Sequence, residues 1–323
     1  MRLLDAVLPS LDANDAATFD ARLDHVSLLD ENGALRQAWR EARDIAREVE
    51  ERHELDAGIR ARSALVLGTL EAKRLHVDRA EELFEEAASR LERRDEGRRL
   101  VEVHLRRAEL ALELGNERRL ERELRRADAI FERDRNLVSL LPQRARRAYI
   151  EALFELAASR PSDALPLLDD AARDAEASGD SFGGVAVQVA RLEARIALQS
   201  ATEEEATTLL RTTARAGDPR LFMVGCALAA EFHRRNDDPT RADAKLVLAF
   251  DELGKRSVEP TFPLRLLLTK SRVQRDLGAS DAARRTRRLA MRRLERLSLR
   301  LHRAERGAFL RANPVRRALI AAR

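Results

Sequence analysis

Small residues recur through this chain at fixed offsets, and that recurrence limits the folds open to it. Gly68, Ala108, Ala152, Ala194, Ala230 and Ser271 are each followed, twelve residues later, by Ala80, Leu120, Ala164, Ala206, Ala242 and Ala283. Four residues further come Phe84, Leu124, Leu168, Leu210, Leu246 and Arg287, and three beyond those Ala87, Ala127, Ala171, Thr213, Ala249 and Ala290. A small side chain lets two helix axes approach closely, and a large apolar residue beside it fills the space next to the contact. Two helices joined this way bury only part of their apolar surface, so in-phase repetition predicts that each pair stacks on the next. Two positions depart from the pattern: Leu120 is bulky where Ala is expected, and Arg287 is charged where a core residue is expected.

Composition supports an all-α reading. Ala, Leu, Arg and Glu dominate and aromatics are 4% of the chain, which suits helices and is poor in the residues that sheets prefer. Asp218-Pro219 and Asp238-Pro239 each place a capping residue before a proline at the first helical position. Ser162-Asp163 and Ser280-Asp281 are expected to open second helices in the same manner, while Gly115, Gly179, Gly217 and Gly278 fall where helices must end. Ser181-Phe182-Gly183-Gly184 is expected to be the loosest linker and the place of any hinge; it lacks the spacing of a phosphate-cradling loop. Near the N-terminus, Pro9-Ser10 and Asp12 signal a helix running to about Leu29, Asn32-Gly33 breaks it, and a second helix over 34–52 carries Trp39 on its apolar face. Residues 1–54 are thus expected to form a degenerate first repeat or cap, 55–303 six repeats, and 304–323 a capping helix that brings Phe309, Val315 and Leu319 over the last repeat.

The unit built on Leu67, Gly68, Ala80, Phe84 and Ala87 resembles the tetratricopeptide repeat, with Ala64 standing where that family usually has an aromatic. Successive units are 36 to 44 residues apart, which resembles the long-helix subclass of bacterial signalling proteins and transcriptional regulators. The resemblance implies a right-handed α-solenoid of about seven antiparallel helix pairs, with the first helix of each pair lining a concave groove. The groove positions it implies include Tyr149, Leu153, Gln188, Arg191, Arg195, Arg234, Arg235, Arg272 and Arg275 in a basic C-terminal half. In the N-terminal half they include Arg62, Thr69, Lys73, Glu102, Glu109 and Glu113, which is mixed or acidic. The Lys/Asn clamp that chaperone-binding members use for a C-terminal carboxylate is not reproduced: the position after the small residue reads Thr69, Glu109, Leu153, Arg195, Glu231 and Arg272.

A formal net charge of +4 conceals an uneven distribution. From Arg265 to Arg323 there are 18 Lys/Arg against four acids, so the rest of the chain is acidic. Only four basic residues are Lys, a bias that GC-rich bacterial genomes produce, so the distribution of Arg carries more information than its amount. Arg284, Arg285, Arg288 and Arg292 crowd one predicted helix, and such a row can neutralise several phosphates. No aromatics interleave with it, so it offers no base-stacking platform.

Catalytic motifs are missing from the sequence. The six histidines form no H-E-x-x-H and no i,i+4 pair, and there is no G-x-S-x-G elbow, P-loop or kinase signature. The single Cys226 lies in an apolar run and excludes both an internal disulfide and a Cys-rich zinc site. No apolar stretch is long enough to span a bilayer, and residues 1–11 do not read as an export signal, so the expected compartment is the cytoplasm. These features predict a non-enzymatic scaffold or sensor arm of a bacterial regulatory system, without cofactor or metal. It would bind an extended, partly acidic protein or peptide segment in the groove; the alternatives are a nucleic-acid-associated regulator acting through the Arg-rich helix, or the repeat domain of a larger signalling protein.

Overall fold

A computed structural model describes residues 16–52, 54–94, 96–133 and 137–321. The helix start signals at Pro9-Ser10 and Asp12 lie outside them, as does His53. The described residues form helices α1 (Ala16–Glu31), α2 (Leu35–Glu51), α3 (Ala57–Lys73), α4 (Val77–Glu92), α5 (Gly97–Leu114), α6 (Glu117–Arg133), α7 (Leu141–Ala157) and α8 (Pro161–Ser178). They continue with α9 (Ser181–Ala197), α10 (Glu203–Ala216), α11 (Pro219–Arg235), α12 (Pro239–Lys255), α13 (Pro263–Asp276), α14 (Ser280–Ser298), α15 (Arg303–Arg311) and α16 (Pro314–Ala321). The first fourteen pack as seven consecutive antiparallel pairs, each stacked on the next, in a TPR-like α-solenoid.

The packing follows the sequence pattern. At α3 against α4, a Cβ on Gly68 would stand 3.0 Å from two ring carbons of Phe84, so glycine lets the fully buried ring pack this close and any larger residue would push it back. Ala108, Ala152, Ala194 and Ala230 are buried at 0% exposure opposite their partner helices, where they do the same work. Leu120 is accommodated and buried beside Leu124 and Ala127. Arg287 has a different explanation. It lies half-buried and donates to the carbonyls of Ala318 (2.7 Å) and Leu319 (3.0 Å), satisfying C-terminal carbonyls of α16.

Every turn within pairs two to seven contains one residue in the left-handed region: Leu75, Gly115, Ser159, Gln199, Asp237 and Gly278. Only two of the six are glycine, and the other four accept a steric cost of about 1–2 kcal/mol each to reverse the chain tightly. Asp218 and Asp238 cap α11 and α12 as expected, accepting from Arg220 N (2.6 Å) and Arg241 N (3.0 Å). The Ser181–Gly184 stretch differs from expectation: it is the first turn of α9, held by Asp180 accepting from Gly183 N at 2.9 Å.

Two features close the solenoid on itself. The α1–α2 turn docks on the loop between α12 and α13, where Ser257 N donates to Gly33 O (2.7 Å) and Leu35 N donates to Ser257 O (2.9 Å). Residues from both ends of the chain, Phe19 and Ile45 with Leu264, Leu294 and Leu297, consequently share one hydrophobic core. The C-terminal cap is a hairpin of two short helices, α15 and α16, that folds inward. Phe309 and Leu319 are fully buried in that same core, and a Cβ on Gly115 would meet Ala308 O at 2.7 Å.

Candidate functional site

The first helices of the pairs turn one face inward, and the space they enclose is a string of connected cavities. A cavity of about 470 Å³ lies at the N-terminal end between α1, α3 and α5. It shares Thr69 and Arg106 with a second of about 200 Å³. That one shares Glu113 and Thr261 with a third of about 140 Å³. The third shares Arg265 and Val315 with a fourth of about 350 Å³ between α7, α9, α11, α13 and α16. Individual cavities are of the size that small ligands or side chains occupy, and together they trace the inside of the ring.

Charge is organised along this path. At the N-terminal end, burial raises the Asp30 carboxyl, but Lys73 and Arg220 outweigh it and hold the group below its ordinary value. Arg220 also reaches Glu259 at 2.9 Å, so this cluster ties α1, α3 and α11 to the loop before α13. Midway, Arg146 bridges Glu102 (2.9 Å) and Glu109 (2.6 Å) of α5; burial opposes its charge, but the two carboxylates hold it firmly protonated. Tyr149 stands one turn on, its hydroxyl pushed up by burial and by Glu193 and Glu109, while Arg265 crosses to Glu193 at 2.8 Å. Arg316 of the hairpin, 1% exposed, enters here. It pairs with Glu113, donates to Glu113 O (2.7 Å) and Phe309 O (3.0 Å), and lies over the Phe309 ring.

At the C-terminal end one buried carboxylate serves three guanidinium groups. Glu231 contacts Arg234 (3.0 Å), Arg235 (2.9 Å) and Arg272 (3.6 Å). Burial and the charges of Arg234, Arg235 and Arg275 hold Arg272 below the ordinary guanidinium value despite the pull of Glu231, and these four guanidinium groups gather around two carboxylates, Glu231 and Asp276. Leu156, Ile196, Leu228 and Leu268 supply an apolar wall to the same cavity.

Of the residues implied by the repeat resemblance, Arg235 and Arg272 line this cavity directly, and Arg234 shares their carboxylate. Arg275 is exposed near Asp276, which also accepts from Arg234 at 3.1 Å. Tyr149 and Leu153 are half-buried on α7, packed beside Ala148 and Ala152. Gln188 is exposed on α9. Arg191 and Arg195 are drawn aside to Asp169 of α8 and Glu205 of α10, and neither lines the four cavities. Arg284 pairs with Asp281, whereas Arg285, Arg288 and Arg292 are exposed on α14, away from the cavities. Sequence reading missed the inward hairpin with Arg316, and also the Asp30–Lys73–Arg220–Glu259 cluster, whose members are up to 229 residues apart. No local signal announces either.

The chain is similar in fold to a Rap protein. A crystal structure of a Rap protein complexed with competence and sporulation factor superposes with a TM-score of 0.57 over 96% of this chain and 100% of that one, at 12% identity. No family model matches the sequence, and no curated protein does. Among the described residues no group of three or more His, Cys, Asp and Glu could hold a metal ion, and no helix is long and apolar enough to cross a membrane. His25, His76, His104 and His302 contact the carboxylates of Glu41, Glu71, Glu123 and Asp78 respectively.

Proposed function

We propose that this protein is a non-enzymatic regulatory scaffold of the tetratricopeptide-repeat type, acting in the bacterial cytoplasm, that binds an extended, partly acidic protein or peptide segment inside its ring. The observation that carries this reading is the surplus of guanidinium groups around Glu231, set against the apolar wall of Leu156, Leu228 and Leu268. Arg pairs with carboxylates through two parallel hydrogen bonds, and a half-enclosed site strengthens the pairing. An acidic side chain or a terminal carboxylate would sit between Arg235 and Arg272, with a neighbouring apolar side chain against the leucines. The fold's likeness to a Rap protein complexed with competence and sporulation factor supports a binding role.

The test is capture of partners from host lysate with nuclease present, followed by titration of the recovered partner against Arg235→Glu/Arg272→Glu. Reversing two charges that contact an anion should weaken binding by about 30-fold or more. An affinity left unchanged, with the helical spectrum intact, would remove this reading.

A further inference from the structure

Most of the arginines that could be scored as surplus in the sequence are neutralised in the fold, and this makes the exceptions informative. Arg62, Arg106, Arg146, Arg147 and Arg234 each contact two carboxylates, and Arg220 contacts three. Helix α14 behaves differently. Arg285, Arg288, Arg292 and Arg296 are exposed and have no carboxylate partner among the described residues. At about 100° per residue these four fall on one face of the helix, with Arg300 just beyond its end. Two acids share this helix, Asp281, which pairs with Arg284 and also feels Arg285 and Arg288, and Glu295; they are outnumbered by its arginines, so the row keeps a net positive charge.

The positive surface extends past α14 because the ring is closed. Burial and the neighbouring charges of Arg300 and Arg43 hold Arg74 below the ordinary guanidinium value against the pull of Glu71. Burial, Arg296 and Arg300 do the same to Arg293. Arg43 and Arg74 both lie over the indole of Trp39, at 4.8 and 3.8 Å from the ring centroid. The end of α14 therefore meets α2 and α3 in a crowd of cations on the outside of the ring, at the seam where its first and last pairs join.

We propose that this seam, from Arg285 to Arg300 and on to Arg43, is a docking surface for the phosphate backbone of duplex nucleic acid, bound without sequence readout. The row from Arg285 to Arg300 is about 22 Å long at 1.5 Å per residue, and a duplex strand offers one phosphate per about 3.4 Å of axis. About six or seven phosphates of one strand lie along that length, enough to face all five guanidinium groups with opposite charge. Nothing on the face reads bases: Trp39 is covered by two arginines and its Nε1 donates to Glu71 at 2.8 Å. The surface is separate from the interior site, so the two proposals stand or fall independently.

The test uses the full chain, a fluorescent duplex DNA of arbitrary sequence and, in parallel, phosphatidylserine vesicles, read by anisotropy and by co-sedimentation. Five phosphate contacts predict a log–log salt slope of about −4 to −5, or about a 500-fold loss of affinity between 50 and 200 mM salt. Arg288→Glu/Arg292→Glu/Arg296→Glu, all on the exposed face, should flatten that slope by about three and weaken binding more than about 100-fold at 100 mM. Arg235→Glu/Arg272→Glu should leave DNA binding unchanged. Absence of binding at 50 mM salt, an unaltered slope in the triple variant, loss in the interior variant instead, or a preference for vesicles over the duplex would each overturn the proposal.

Discussion

Removing Arg316 should free the C-terminal hairpin while leaving the ring standing. Its guanidinium is 1% exposed, pairs with Glu113, donates to two carbonyls on different elements and packs over Phe309. In Arg316→Ala the Glu113 carboxylate loses its partner and the carbonyls of Glu113 and Phe309 lose a donor. Glu113 is 35% exposed and water can take up its carboxylate, so the cost lies mainly in the two carbonyls left without a donor and in lost packing, about 1–3 kcal/mol. The hairpin's other anchors are Arg287, donating to Ala318 O and Leu319 O, Arg317, donating to Ala157 O (2.7 Å) and Ser159 Oγ (2.9 Å), and the core residues Phe309 and Leu319. The loss should therefore fall on local opening of α15 and α16, with little effect on global unfolding. At about 1.4 kcal/mol per tenfold, amide exchange over residues 303–321 should accelerate by about one to two orders of magnitude. Hydrogen exchange resolved by mass spectrometry reads this directly, with α8 as the internal reference. Protection unchanged over 303–321, or lost equally in α8, would refute the assignment of Arg316 as the hairpin's anchor.

The repeat contact at Gly68 offers a second check. Gly68→Ala should destabilise by about 1 kcal/mol, because overpacking against Phe84 outweighs a helix-propensity gain of similar size. Adding Phe84→Leu should recover part of that loss, so urea midpoints of the two single variants and the double variant should be non-additive. A third prediction concerns acid. Burial raises the Glu123 carboxyl, but hydrogen bonding to His104 (2.9 Å), with nearby Arg126, brings it from 4.5 down to about 2. A depressed carboxyl stabilises the fold above its unfolded value and loses that contribution as pH falls through the folded one. About 3 kcal/mol should thus disappear between about pH 4.5 and 2, and Glu123→Gln should flatten that limb of a stability–pH profile measured by urea unfolding.

The helix pairs were legible because their cause is local. A small residue meets a second one twelve positions later through a single turn, and the same spacing recurs from Gly68 to Ser271. The six left-handed turn residues were half hidden by identity, since Leu75, Ser159, Gln199 and Asp237 advertise nothing that Gly115 and Gly278 do. The charged groove was legible only in part. The repeat resemblance implied groove positions for Arg191 and Arg195 on α9, but Asp169 and Glu205, which claim them, belong to neighbouring helices whose approach depends on the stacking angle. Arg287 looked like a defect in the last repeat because the carbonyls it satisfies come from residues more than thirty positions downstream.

The bond between Gly33 and Ser257 has a topological consequence. An open groove can receive the middle of a long chain from the side, so a loop of a folded partner and a short peptide compete on equal terms. A ring fastened at Gly33, Leu35 and Ser257 does not treat them equally. A segment with a free end can thread it, whereas a loop tethered at both ends must wait for the fastening to part. Under the proposed binding inside the ring, such a molecule would sort its visitors kinetically, by whether they have an end to offer, before any side chain is compared.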